Sequence, residues 1–126
     1  MVIQEILRLY PGVGFTVREA LEDVQIRNKV CVPKGVNTWI WPIALHRDPE
    51  LWGPDAHNFN PERFSNGVPG ACRISLAYIP FGLSPRTCPG MNLVMMDLKV
   101  MFSLILANFS FPSRLIIIMF PSLMYF

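Results

Sequence analysis

The sequence predicts a mainly α fold that carries a small antiparallel β-sheet. An amphipathic run opens the chain, and an apolar run of helical length, Met91–Asn108, lies near its end. Between them, three short runs rich in β-branched and aromatic residues are separated by turn residues. Twelve prolines are spread through the 126 residues. A pure helical bundle hardly tolerates that density, because proline lacks the amide hydrogen and breaks helix interiors.

The elements follow in order. Val2, Ile3, Ile6, Leu7 and Leu9 are apolar, with Gln4, Glu5 and Arg8 between them. This spacing gives a short helix with a polar stripe, ended by Pro11. Gly12-Val13-Gly14 is a flexible break. Val24–Ile26 alternates like a strand, Asn28-Lys29 turns, and Val30–Val32 is a second strand. Pro33-Lys34-Gly35 turns again, and Val36–Trp41 is a third strand, closed by Pro42. The three strands are expected to form one sheet. Ala44–His46 begins a short helix that stops before Pro49.

From Asp48 to Pro80, proline and glycine recur throughout, and the stretch reads as a loop. A structureless segment of this length is unusual inside a compact domain. It is therefore held by fixed side-chain contacts or is functional. Phe81–Gly90 is a turn-rich loop, and Met91–Asn108 is one helix. That helix is apolar on nearly all sides, which marks it for burial in a larger body. Trp39, Trp41 and Trp52 are expected to pack in the core or on the sheet.

Composition excludes several classes. Hydrophobic residues make up 52% of the chain and charged residues 16%, with mean hydropathy +0.35. Disorder needs the opposite balance. A formal net charge of +2 is too small and too scattered for an electrostatic nucleic-acid binder. Three cysteines without a Cys-x-x-Cys pair fit neither a zinc knuckle nor a disulfide-stapled secreted domain, and a reducing compartment is expected. The N-terminus shows no readable targeting segment. From Val100 to Phe126 the only charge is Arg114. Pro112, Arg114 and Pro121 break this run into pieces too short to span a membrane, so core or interface surface is expected.

The densest chemistry lies in Phe81-Gly82-Leu83-Ser84-Pro85-Arg86-Thr87-Cys88-Pro89-Gly90. Cys88 precedes the long helix, whose N-terminal amides favour an anion, and Arg86 adds positive charge. The pair suits a thiolate that binds a soft metal or acts as a nucleophile. A nucleophile needs a base, and nothing places His46 or His57 beside it. Both histidines are expected to be structural, and a lone loop cysteine is commonly structural too. Glu5 and Arg8, three apart on one helix, taken alone read as a surface pair.

The spacing Phe81-x-x-x-x-Arg86-x-Cys88-x-Gly90 resembles the haem-binding loop of cytochrome P-450 monooxygenases. Glu5-x-x-Arg8 and Pro61-Glu62-Arg63-Phe64 accompany it in the family's order. Val32-Pro33-Lys34-Gly35, His46-Arg47-Asp48-Pro49 and Trp52-Gly53 add to the likeness, especially to microsomal plant-type members. The resemblance runs over residues 1–111 and leaves 112–126 as a divergent apolar tail. It implies the C-terminal, haem-binding part of that fold, incomplete.

The resemblance also implies roles. Cys88 is the axial thiolate on haem iron, which favours O–O cleavage. Arg86 pairs with a haem propionate, Arg18 stands where a second propionate partner is frequent, and Phe81 packs on the porphyrin. Gly90 completes the loop. Glu5, Arg8 and Arg63 form a buried salt-bridged triad that steadies the Cys88 loop. Val13 lies where the family's chain lines the substrate pocket. The implied activity is insertion of one oxygen atom into a small apolar organic substrate, with electrons from an NADPH-dependent reductase. The implied location is the cytosolic face of the endoplasmic reticulum membrane.

Departures from the pattern set further expectations. Ser84 stands where the family has glycine, so strain and weaker haem binding are expected there. Gly12 stands where proline is usual. The family's oxygen-activating helix falls upstream of Met1, so the distal wall, most substrate contacts and the membrane anchor are expected to lie outside the chain. A partial gene model or a truncated copy, inactive in isolation, is therefore expected. The alternative reading is a non-catalytic product of a degraded gene with weak or no haem binding.

Overall fold

The computed structural model describes residues 1–26 and 29–109. The turn expected at Asn28 and the tail 112–126 lie outside the described residues. The chain divides into two compact units, Met1–Pro89 and a second that begins at Gly90.

The first unit opens with helix α1, Val2–Leu9. Its buried residues are Glu5, Arg8 and Leu9, whereas Val2 is exposed. The polar stripe is therefore the side that packs inward. This inversion of the ordinary amphipathic rule is possible only because partners for the buried charges are built into the unit.

Strands β1 (Thr16–Glu19), β2 (Val24–Ile26), β3 (Val30–Val32) and β4 (Asn37–Ile40) follow. Among the described residues the expected three-stranded sheet is not formed. There are two separate antiparallel pairs, β1 with β4 and β2 with β3. Thr16 faces Ile40 and Glu19 faces Asn37 in the first; Val24 faces Val32 in the second. Strand β1 went unread in the sequence because it holds Arg18 and Glu19 and lacks an apolar run. The third expected strand pairs with it, not with Val30–Val32. The link Ala20–Val36 is sealed by the Ala20 amide donating to the Val36 carbonyl at 3.0 Å and the Gly35 amide donating to Ala20 at 2.8 Å.

Trp39 and Trp41 are 60% and 58% exposed, so neither packs in a core; Trp39 lies on the sheet, in β4 opposite Val17. A two-stranded sheet has no second layer in this unit, and Trp39 stacks only on Phe15, with centroids 4.6 Å apart. Trp52 does lie in the core.

Residues 48–80 are not a plain loop. Helix α2 is Pro42–His46 and α3 is Pro49–Trp52, the latter capped by Asp48, whose carboxylate accepts from the Glu50 amide. A 3-10 turn at Pro61–Phe64, helix α4 (Gly67–Ala71) and a 3-10 turn at Ser75–Ala77 complete the segment. Each piece is too short to show helical periodicity, so proline and glycine dominate its sequence signal. Trp52, Ala56, Phe64 and Ala71 form a small core, with Leu51, Val68, Cys72 and Tyr78 packed against it.

In the second unit, Gly90 caps helix α5, Met91–Asn108. No residue of this helix is buried. It is also long and apolar enough, by length and composition alone, to cross a membrane. The sequence marks it for burial, whereas Met95, Leu98 and Phe102 are half-buried and its other residues exposed.

Candidate functional site

Arg8 is the hub of the first unit, and Glu5, Arg8 and His46 are each 0% exposed. The guanidinium makes five hydrogen bonds. Nε donates to Glu5 Oε2 at 2.7 Å, and one terminal nitrogen donates to Glu5 Oε1 at 2.8 Å. The remaining donors go to the carbonyls of His46 (2.6 Å), Ala56 (2.6 Å) and Asn58 (3.2 Å). A guanidinium offers five N–H groups, so none is left unmet. Glu5 Oε1 also accepts from the Asn60 amide at 2.9 Å. The Trp52 ring lies 5.1 Å from the Arg8 guanidinium carbon, adding a cation–π contact.

Arg63 joins this centre at its edge. Its Nε stands 3.8 Å from Glu5 Oε1, an ion-pair distance without a hydrogen bond. Its other nitrogens donate to the Trp52 carbonyl at 2.6 Å and to Asp55 Oδ2 at 2.8 Å. The Arg63 bond, helped by Asn60, holds the Asp55 carboxyl below the usual carboxylate range. The structure thus brings Glu5, Arg8 and Arg63 together and adds Asp55. No spacing signals Asp55; its part depends on where the Arg63 side chain reaches.

His46 ties this centre to the segment that enters the Cys88 loop. Its Nδ1 is 3.1 Å from the Arg8 carbonyl, and its Nε2 accepts from the Ile79 amide at 2.9 Å. An amide can only donate, so Nε2 is unprotonated and Nδ1 carries the hydrogen. Burial lowers the His46 pKa from 6.5 to about 4, and the Arg8 charge acts in the same direction. The ring is flanked by Tyr78 and Trp52, at centroid distances of 5.5 and 6.2 Å. The Tyr78 hydroxyl donates to the Gln4 carbonyl at 3.0 Å. Burial pushes that hydroxyl's pKa upward.

The loop itself is a closed ring of backbone. The Cys88 amide donates to the Phe81 carbonyl at 2.8 Å, and the Gly82 amide donates to the Ile79 carbonyl at 3.1 Å. Gly82 sits at φ +78, and a Cβ there would meet the Arg86 carbonyl oxygen at 3.3 Å. Only glycine suits that bend. A 3-10 turn at Ser84–Arg86 follows, with the Thr87 amide and hydroxyl both donating to the Ser84 carbonyl. Ser84 has φ +64, the left-handed region that glycine favours. Among the described residues it is the one non-glycine residue there.

Cys88 is a free, exposed thiol. Phe81 is half-buried and Arg86 exposed. Among the described residues, Arg18 on β1 donates only to its neighbour's carbonyl, Val17, at 2.9 Å. It shares with Leu83 and Ser84 the wall of a hollow of about 230 Å³, whose apolar lining includes Ile40, Leu76 and Ile79. The structure therefore brings Arg18 beside the loop. Gly90 belongs to the second unit. Val13 is exposed on the link between α1 and β1, and His57 is exposed.

These residues fit a haem. No group of three or more His, Cys, Asp or Glu that could hold a bare metal ion occurs among the described residues. Iron in a porphyrin needs only one strong ligand from the protein, and the exposed Cys88 thiol is the residue that would supply it. Arg18 and Arg86, which meet no carboxylate among the described residues, would suit the propionates.

A family model, cytochrome P450, matches residues 1–114. Cytochrome P450 714A2 of Arabidopsis thaliana is 57% identical over 111 residues, covering 88% of this chain and 21% of that protein. Cytochrome P450 714C2 of Oryza sativa subsp. japonica is 54% identical over 112 residues, with the same coverage. Among solved structures, a retinoic acid-bound cyanobacterial CYP120A1 superposes with TM-score 0.76 at 34% identity, over 84% of this chain and 24% of that one. The chain thus spans about a fifth of the length of the curated relatives it matches.

Proposed function

The chain belongs to the cytochrome P450 family, and we propose that it is the thiolate-ligating portion of a haem monooxygenase. The observation that carries this reading is the Cys88 loop. An exposed thiol sits on a ring closed by its own amide, and that ring is moored through Ile79 and His46 to the buried Glu5–Arg8 pair.

Cys88 is the residue that would hold the iron, as thiolate. Arg86 and Arg18 would receive the propionates, where a planar guanidinium fork matches a carboxylate. Phe81 and the apolar wall of the hollow would keep water from the ring edge. Haem, when bound, supplies the activation of dioxygen and the transfer of one oxygen atom, driven by electrons from a reductase. Glu5, Arg8 and Arg63 hold α1 against residues 46–63, which keeps the approach to the loop rigid. Pre-set geometry matters because a ligand site that is loose by an ångström loses much of its strength. The substrate is a small apolar organic molecule, the electron donor an NADPH-dependent reductase, and the location the cytosolic face of the endoplasmic reticulum membrane. Turnover is assigned to a chain of the relatives' full length.

A second reading, a non-catalytic chain with weak or no haem binding, is favoured by one observation, the strained Ser84. One titration separates the two. Haemin added to the full chain, then reduced under carbon monoxide, is expected to give a thiolate-type Soret band that Cys88→Ser abolishes. Wild type giving no such band at saturating haemin would sink the first reading and leave the second.

A further inference from the structure

We propose that His46 is a positioning residue for the Cys88 loop, carrying the order of the Glu5–Arg8 centre to that loop through two hydrogen bonds of one imidazole. The inference rests on the reading above only where it treats Cys88 as the haem ligand.

The path is continuous and short. Arg8 is held rigidly by five hydrogen bonds, so its backbone carbonyl is a fixed point. His46 Nδ1 donates to that carbonyl at 3.1 Å. The opposite nitrogen, Nε2, accepts the Ile79 amide at 2.9 Å. The Ile79 carbonyl then accepts the Gly82 amide at 3.1 Å, at the bend of the loop. Two residues past Ile79, Phe81 offers the carbonyl that the Cys88 amide closes onto at 2.8 Å. The imidazole has one donor and one acceptor role, and among the described residues no other hydrogen-bond partner meets either ring nitrogen.

The ring's surroundings enforce that role. His46 is fully buried, so neither nitrogen can exchange its partner for water. Tyr78 and Trp52 clamp the ring plane, and the Trp52 indole donates to Leu45, the residue before His46, at 3.0 Å. The Arg8 guanidinium meanwhile accepts no proton and donates to the His46 carbonyl, so backbone and side chain of one residue are both locked to α1. A residue needed only to fill this space would not have to match both a carbonyl and an amide. An apolar ring would leave the Ile79 amide buried and unpaired.

Two substitutions in the full chain divide the pair of bonds. His46→Asn keeps a donor near the Nδ1 position but has nothing to reach the Ile79 amide. His46→Gln places an acceptor near Nε2 and gives up the donor to Arg8. The readout is amide hydrogen exchange without haem, residue by residue. His46→Asn is expected to cut the protection of Ile79, Gly82 and Cys88 at least tenfold, and His46→Gln to restore it to within about threefold of wild type. Amides of Leu51–Ala56 should change by less than threefold in both. Equal losses across the unit, or unchanged protection at Cys88 in His46→Asn, would overturn the proposal. With haemin added, the thiolate-type band should weaken in the order wild type, Gln, Asn. If wild type shows no band while the exchange pattern holds, the haem reading fails and the coupling stands.

Discussion

The Arg8 centre and the Cys88 loop obey opposite rules. At the centre, charges are buried and every donor of the guanidinium is met by a fixed acceptor. On the loop, the chemically interesting groups are exposed and meet few side-chain partners, and one residue sits in a backbone region that its side chain disfavours. The centre is satisfied within the unit; the loop leaves its thiol and the Arg86 side chain exposed. The difference teaches that satisfied buried charge and exposed polar groups are kept in separate places, with His46 and Tyr78 both tying α1 to the segment that leads into the loop.

The largest expected effect tests the centre. Arg8→Met leaves the buried Glu5 carboxylate with only the Asn60 amide and the 3.8 Å Arg63 contact and strands three carbonyls, so it should destabilise the first unit by ~3–5 kcal/mol. Denaturant midpoints measure this. Glu5→Ala should likewise prevent haem uptake, and a normal haem spectrum in that variant would separate the centre from the loop.

Acid comes next. His46 has its ordinary pKa of 6.5 when unfolded and about 4 in the fold. As pH falls through this window the unfolded chain takes up a proton that the folded one refuses. Stability is therefore full above 6.5, declines between 6.5 and 4, and has lost roughly 3 kcal/mol at the lower end. Asp55, lowered by Arg63, acts with the same sign in more acidic solution. His46→Gln, which cannot titrate, should flatten the first part of the profile. An unchanged profile would mean another group sets it.

A smaller effect belongs to the loop. Ser84→Gly relieves the left-handed strain at φ +64 and should stabilise the loop by about 1 kcal/mol, seen as tighter haemin binding of several-fold. A looser loop in the glycine variant would show that Ser84 makes its bend at no cost. The smallest effect on stability lies on α5. Leu93→Gln with Leu104→Gln alters two exposed positions and should change stability by less than about 0.5 kcal/mol. It should, however, reduce binding of an apolar dye, because uncovered leucines are the dye's target.

Much of this was legible along the chain. Cys88, Arg86 and Phe81 sit at short fixed spacings, and a loop that must bend back on itself writes its geometry into consecutive residues. Glu5 and Arg8 are legible for the same reason, being three apart on one helix. The strand Thr16–Glu19 was not, because it gains its identity from Asn37–Ile40 across the sheet rather than from its own composition. The short helices between Pro49 and Ala77 were hidden by their prolines and glycines.

The sequence by itself determined the family, the turn-rich loop before α5 and the helices at the two ends, since these depend on local spacing and on residue types that tolerate few alternatives. Only the tertiary structure decided that the polar side of α1 faces inward, that the strands pair two by two, and that His46 bridges Arg8 and Ile79. Those facts depend on which distant carbonyls and amides come within hydrogen-bonding reach, and burial makes that reach decisive because water can no longer stand in for a missing partner.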